Sequence, residues 1–356
     1  MRLVRFSFKD GGMWNLKKVS LGNINLIVGP NAVGKTRSIK AIDTVVHFML
    51  KVPELFDPST FECGLSFIDG ESSIHYNFNV KDKSILSEML SVDNTLVIKR
   101  DTRSSIIENE LINPPDGMLI TQVRRDTQKY PVIERIMEWA EHTYGIAFSS
   151  VRPSYKNLGG EASKLFNNVL PLPEMYEKIS EVNKDDIRTI MCKMDYDIEK
   201  IGLVPLPQKN KLVFLSENGV NMPLFSFSLS NGMFRVFYTL VYVFYLSKIT
   251  GEKCLLIDDL GEGLDYHRST KLGEWLFKHC EDNNIQLIVT SNDNVLMNHV
   301  DLKYWIILSR NGSDVDAINE ASDHDLFRQF RLTGLENFDI FSTDFISQYR
   351  ANKGGN

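Results

Sequence analysis

A largely parallel α/β architecture is predicted by three features of the sequence. Residues 23–28 (NINLIV) read as an apolar strand that runs through a Gly-containing loop directly into a helical pattern over 35–50. Residues 254–257 and 285–289 are short, largely apolar strands joined by a helical run over 266–280, as a parallel sheet buried on both faces requires. The composition, 43% hydrophobic and 24% charged, is that of an ordinary globular chain, and 356 residues fill one large domain or two.

The charge balance restricts the classes of function. With 40 Lys+Arg against 46 Asp+Glu the formal charge is −6, so any contact with DNA must rest on a local patch or on a partner. Lys99, Arg100, Arg103, Arg124 and Arg125 form a modest basic cluster that solvated surface charge explains more simply. Cys63, Cys192, Cys254 and Cys280 stand far apart with no C-x-x-C pair, as expected of reduced thiols in a cytoplasmic protein. The N-terminus alternates like a strand and lacks the apolar core of a signal peptide. The apolar run 236–246 is too short to span a bilayer and reads as a buried helix, so no membrane role is expected.

Taken in order, the chain opens with an alternating strand over 2–8, a polar turn, the strand 23–28 and the helix 35–50. Residues 62–80 alternate on both sides of Asp69-Gly70, a hairpin signal, and 95–99 and 118–123 read as further strands of an antiparallel flank. From 130 to 200, including 162–169, apolar residues recur three and four apart and predict an inserted helical lobe without a sustained heptad repeat. Strands return around Asn218-Gly219, the apolar helix follows Gly232, and a last core strand is read at 303–309. The expected division is 1–129 and 201–310 for two parts of one head, 130–200 for the lobe and 311–356 for a C-terminal extension.

The chemistry concentrates at the ends of the core strands. Gly29-Pro30-Asn31-Ala32-Val33-Gly34-Lys35-Thr36 matches G-x-x-x-x-G-K-[ST] at the turn from strand to helix. Glycines there let backbone N–H groups wrap a β-phosphate, the helix N-terminus adds positive potential, Lys35 reaches the β- and γ-phosphates, and Thr36 supplies a Mg²⁺ ligand. A nucleotide site also needs a carboxylate on the metal side at the end of a nearby strand, and Asp258 supplies it. Asp259 follows in the position to orient an attacking water, and Glu262 stands close to it in D-D-L-G-E-G-L-D. Leu229-Ser230-Asn231-Gly232-Met233 precedes the apolar helix; a serine, a glycine and a helix start can be a plain N-cap or an anion site. Asp265, after Gly263-Leu264, is equally suited to cap the helix over 266–280.

The order of these motifs resembles the ABC-type ATPases. GPNAVGKT resembles the SMC and RecF branch rather than transporters and, more specifically, the AAA domain of the ABC-like OLD family and its stand-alone relatives. The similarity extends to Asp195-Tyr196-Asp197-Ile198-Glu199, to the hairpin before Ser230 and to Gln286-Leu287-Ile288-Val289-Thr290, and so covers most of residues 1–300. It implies a P-loop NTPase fold: an ABC-type ATPase head with an antiparallel flank and an inserted helical lobe. It implies ATP and Mg²⁺ as cofactors, with Gly29, Pro30, Asn31, Ala32, Val33, Gly34, Lys35, Thr36 and Arg37 around the nucleotide and Thr36 and Asp258 on the metal. It further implies a homodimer, or a higher homo-oligomer, in which two copies enclose two ATP molecules head to tail. Ser230, Asn231, Gly232 and Asp265 would then meet the nucleotide of the other copy, and Lys35, Asp259, Glu262 and Asn292 would carry hydrolysis.

The sequence departs from that pattern in places. Asp259 stands where glutamate is commoner, and a misplacement of about 1 Å costs on the order of a hundredfold in rate, so slow turnover is expected. Asn292 stands where a histidine is frequent, and it cannot take up a proton. Gln122 is the candidate for the glutamine of the Q-loop. Arg235 and Arg268 are either solvated helix residues or cross-interface phosphate contacts, and Trp14 either stacks on adenine or lies in the core. The function expected is a slowly hydrolysing, Mg²⁺-dependent ATPase that dimerises on ATP and switches a separate effector protein, a nuclease or toxin, in prokaryotic anti-phage defence. OLD-family proteins carry a C-terminal TOPRIM nuclease, and fewer than fifty residues after 309 cannot hold one. The alternatives are a RecF- or SMC-like ATPase that binds DNA directly and a non-hydrolysing, nucleotide-gated scaffold.

Overall fold

In the computed structural model, which describes residues 1–51, 59–148, 170–207 and 210–354, the strand before the Gly-rich loop lies inside a large mixed sheet. Strands β1 (Arg2–Asp10), β2 (Trp14–Ser20) and β3 (Ile24–Val28) lead into helix α1 (Lys35–Leu50). An antiparallel run follows: β4 (Phe61–Asp69), β5 (Ser72–Lys81), β6 (Ser84–Val92), β7 (Thr95–Arg100), β8 (Ser105–Ile107) and β9 (Glu110–Leu111). Helices α2 (Ile120–Val123) and α3 (Pro131–Glu141) then return the chain to the core at β10 (Thr143–Ala147). Beyond it come α4 (Leu172–Lys178), α5 (Glu181–Lys193) and a small separate sheet of β11 (Ile198–Pro205), β12 (Lys211–Glu217) and β13 (Leu224–Phe225). The second half of the core contains α6 (Asn231–Lys248), β14 (Lys253–Asp258), α7 (Tyr266–Asp282), β15 (Ile285–Thr290), α8 (Asn294–His299), β16 (Trp305–Asn311) and β17 (Asp314–Ile318). Three helices close the chain: α9 (His324–Thr333), α10 (Asp339–Ser342) and α11 (Phe345–Gly354).

Five strands form the parallel core in the order β10, β14, β15, β3, β16. β16 turns antiparallel into β17, which pairs with β2 and so joins the core to the antiparallel flank. Successive residues on a strand point to opposite faces, and the packing follows that rule. Leu255 and Ile257 of β14 pack with α6 and α7 on one face, whereas Cys254 and Leu256 pack with α1 and α3 on the other. This explains why β3, β14 and β15 are apolar throughout rather than alternating. α6 is apolar around most of its circumference because α4 and α5 cover the side turned away from the sheet. Each fully buried side chain there, such as Leu240 or Phe237, stabilises the fold by about 1.5–3 kcal/mol relative to exposure.

The structure corrects the sequence reading in five places. β2 and β6 were not anticipated; β2 runs through the segment read as a polar turn. Residues 118–123 are not a strand, because the buried Glu88 carboxylate accepts hydrogen bonds from Ile120 N (2.6 Å) and Thr121 N (3.2 Å) and so nucleates α2. The helical pattern from residue 130 stops at Glu141: Thr143–Ala147 is a wholly buried core strand, locked to β14 from Cys254 N to His142 O at 3.0 Å. The last core strand starts at Trp305 and ends at Asn311 rather than spanning 303–309. The boundary read at 310 falls within a hairpin, α10 packs Phe341 on Trp305, and α9 and α11 meet through Phe330 and Phe345. Residues 162–169, read as part of the helical lobe, lie outside the described residues.

Candidate nucleotide-binding site

The loop after β3 owes its shape to three residues with positive φ: Gly29 at 148°, Ala32 at 63° and Gly34 at 116°. Two of them cannot carry a side chain. A Cβ on Gly29 would lie 2.9 Å from the Leu308 carbonyl, and one on Gly34 would lie 3.0 Å from Trp14 Nε1. Gly34 caps α1 without a side chain, so the first-turn N–H groups of the helix are left for an anion. Lys35 is buried in this cradle, where Nζ donates to the carbonyls of Gly29 (2.6 Å) and Pro30 (3.1 Å). Burial pulls its ammonium below the usual lysine range, with the charges of Asp259 and Asp258 opposing the shift.

Asp258 ends β14, two strands from β3 with β15 between them. Burial holds its carboxyl above the ordinary carboxylate range, and hydrogen bonds from the Thr290 and Thr36 hydroxyls work against that shift. Thr290 Oγ1 donates to Asp258 Oδ1 at 2.7 Å and accepts from Asp259 N at 2.8 Å, so one hydroxyl fixes both acidic residues. Asp259 has φ 64°, and Asn292 Nδ2 donates to its Oδ1 at 2.8 Å. Thr36, Asp258, Asp259 and Asn292 are thus linked at the mouth of the loop. A hard divalent cation fits this donor set of hydroxyl and carboxylate oxygens. Among the described residues no group of three or more His, Cys, Asp or Glu side chains is placed to hold a metal ion alone. A Mg²⁺ that completes its shell with water and substrate phosphates has no need of such a cage.

Ser230, Asn231 and Gly232 lie elsewhere. Ser230 caps α6 by accepting from Met233 N at 3.2 Å. α6 packs on the face of the sheet opposite α1, so this helix end does not cover the loop of its own chain. A Cβ on Gly232 would lie 3.2 Å from Gly263 O and 3.3 Å from Leu264, so the segment 263–265 is seated on the start of α6. Asp265 caps α7 by accepting from Arg268 N, and that bond, aided by the Arg268 guanidinium, lowers its carboxyl below the usual range. Glu262 turns its carboxylate to Arg235, 3.6 Å away.

This geometry decides several sequence readings and overturns others. Trp14 is fully buried under Gly34 and cannot stack on a base, while Arg37 lies 5.1 Å above its ring and pairs with Asp10 at 2.5 Å. Arg235 is neither solvated nor turned to an interface; it is 6% exposed beneath the 262–264 loop. Arg268 ties Asp265 to the Met194 and Asp195 carbonyls and lies 4.3 Å over the Tyr196 ring. Gln122 donates to the carbonyls of Phe48 and Met49 at the far end of α1, roughly 20 Å from the phosphate loop by helix rise, so it is not a Q-loop residue. The basic cluster dissolves in part, since Arg100 is buried on carbonyls at 115–118 and Arg125 pairs with Glu134 and Glu141. Sequence reasoning missed Thr290 as the link between the two acids and Arg310, which donates to Ala32 O at 3.2 Å and braces the loop. A hydroxyl at the end of the strand between the two motif strands was the available signal for Thr290.

Loop, lysine, threonine and buried aspartate on a parallel sheet define a nucleotide-binding head. Residues 141–298 match the family described as "AAA domain, putative AbiEii toxin, Type IV TA system". No curated protein matches the sequence. Among solved structures, an SMC head bound to the C-terminal winged-helix domain of ScpA is 13% identical with a TM-score of 0.55, over 89% of this chain and 98% of that one. An SMC head with an extended coiled coil, bound to the C-terminal domain of ScpA from Pyrococcus furiosus, is 12% identical with a TM-score of 0.53, over 92% and 99%. The chain therefore has the fold of these SMC heads, and its residues 141–298 are similar to an AAA domain. No helix among the described residues is long and apolar enough to cross a membrane.

Proposed function

We propose that this protein binds ATP with Mg²⁺, hydrolyses it slowly, and closes on it as a head-to-tail homodimer that switches a separate effector protein. The observation that carries the reading is the split between the two anion-binding ends. Lys35, Thr36 and Asp258 lie together toward one face of the sheet, while the Ser230 helix end belongs to the other. A helix N-terminus with a serine cap is suited to a phosphate that its own chain does not supply. In this reading Lys35 and the N–H groups of residues 29–37 hold the β- and γ-phosphates, and Mg²⁺ sits between Thr36 and Asp258. Asp259, oriented by Asn292 and by Thr290, positions the attacking water, and Glu262 is held off it by Arg235. Ser230, Asn231, Gly232 and Asp265 meet the nucleotide of the second copy.

The effector role rests on the matched family description, which names a toxin system, and on the ScpA-bound heads, whose partner is a separate protein. Kinship with the OLD family, a part in anti-phage defence and a cytoplasmic location belong to the same proposal. Direct DNA binding draws less support, since two of the five cluster arginines and lysines are already engaged within the chain. Light scattering with and without Mg²⁺-ATP tests the core of the reading: wild type should shift from monomer to dimer and Lys35→Ala should not. Unchanged nucleotide binding and dimerisation in Lys35→Ala would refute the site. Native purification tests the effector, and a protein that always purifies alone with full activity refutes that part.

A further inference from the structure

Arg235 is a buried charge with few partners. It stands one turn into α6 and is 6% exposed; among the described residues its Nε has no hydrogen-bond partner, and its fork donates only to the Glu262 carbonyl. The Glu262 carboxylate lies 3.6 Å away and the Phe148 ring 5.9 Å away. Burying a guanidinium with donors unused is unfavourable, so its place in the fold points to what it holds. What it holds is the loop after Asp259. Gly263 has φ 74°, and a Cβ there would lie 2.4 Å from Arg235 Nη1, so a side chain at 263 would displace the guanidinium and strain the backbone. From that loop Glu262 N donates back to Asp259 O at 3.1 Å, and Phe148 N donates to Asp258 O at 3.1 Å. A contiguous set of contacts therefore runs from Ser230 through the first turn of α6 and Arg235 to Asp259.

We propose that Arg235 is a positioning residue that makes the turn 230–232 and the loop 259–265 one unit, so that docking of a second copy at Ser230 sets the orientation of Asp259 in the same chain. The inference rests on the ATP-dependent dimer proposed above. It differs from a packing role because Arg235 touches no group of the phosphate loop, so nucleotide affinity and turnover separate.

The test uses the full chain with Arg235→Met, Arg235→Lys and Gly263→Ala, the last of which drives a methyl onto the guanidinium from the opposite side. Affinity for a fluorescent ATP analogue, kcat, KM and Tm are measured for each, and for the Arg235→Met/Gly263→Ala double variant. Arg235→Met should keep ATP affinity within about twofold while kcat falls about tenfold or more, the scale of a small misplacement. Arg235→Lys should recover part of the loss, and the double variant should be no slower than the worse single one. Unchanged kcat in Arg235→Met, additive losses in the double variant, or ATP affinity falling in step with Tm would each overturn the proposal. If Arg235→Met does not fold, Arg235→Lys and Gly263→Ala carry the same comparison. A wild type that neither dimerises nor turns over on ATP overturns the dimer reading and this one with it. A wild type that does both, beside an unaffected Arg235→Met, overturns the positioning role alone.

Discussion

The phosphate-loop side and the Ser230 side of this chain satisfy their polar groups in opposite ways. Around Lys35 the ammonium has two carbonyls, Asp258 has two hydroxyls and Asp259 has Asn292, all within one chain. Around Ser230 the cap satisfies Met233 N, Ser230 and Asn231 are exposed at the start of an 18-residue helix, and Arg235 behind them is short of partners among the described residues. In the proposed reading the first side holds a nucleotide and a cation within one chain. The second side would then await an anion brought by a second copy.

Substitutions can separate the two sides, and the largest effect belongs to the first. Lys35→Ala should weaken ATP binding about a hundredfold, the loss of charge-assisted hydrogen bonds worth about 3 kcal/mol, and with it abolish dimerisation. Titration with a fluorescent analogue checks the first and light scattering the second. Asp259→Asn should cut turnover by about a hundredfold yet leave the ATP-bound dimer intact. Asparagine tolerates the left-handed conformation at that position, so Tm should hold, and a phosphate-release assay beside light scattering decides.

Ser230→Asp addresses the second side. Aspartate caps a helix as well as serine, so Tm should be preserved, while a carboxylate facing a γ-phosphate should weaken ATP-dependent dimerisation about tenfold. Equal dimerisation in wild type and Ser230→Asp would remove the contrast between the two sides.

The smallest effect is a pH dependence of the metal-free protein. Asp258 has a folded pKa above the ordinary carboxylate value, so between the two values the folded state binds more protons than the unfolded. Its contribution to stability therefore falls as pH rises through that window. Asp258→Asn should remove the fall and raise Tm above the window by about a degree or two, and Mg²⁺-ATP should suppress the difference in wild type. Thermal melts across about pH 4 to 7 in chelator measure it.

Much of the first side was legible from residue order, because its motif is local: a strand, six loop residues, a lysine and a helix start are contiguous. Asp258 was legible for the same reason, standing at the end of an apolar run. The antiparallel flank was partly legible from the Asp69-Gly70 turn, which does join β4 and β5. Residues 118–123 were misread because their hydrogen bonds go to Glu88, some thirty positions earlier, and no local pattern records that. Thr143–Ala147 was misread because the helical spacing of α3 runs straight up to it, and only the neighbouring β14 makes it a strand.

Sequence by itself determined the parallel α/β class, the phosphate loop and the acidic strand end, since each depends on residues a few positions apart whose chemistry is fixed by type. Tertiary structure alone decided that Trp14 supports the loop rather than a base and that Thr290 bridges Asp258 and Asp259. It also decided that Arg235 lies under the 262–264 loop rather than at the surface. The physical reason is the same in each case. Whether a polar or aromatic side chain is solvated, buried or bridging depends on groups that folding brings to it from distant parts of the chain, and burial then fixes both its partners and its charge.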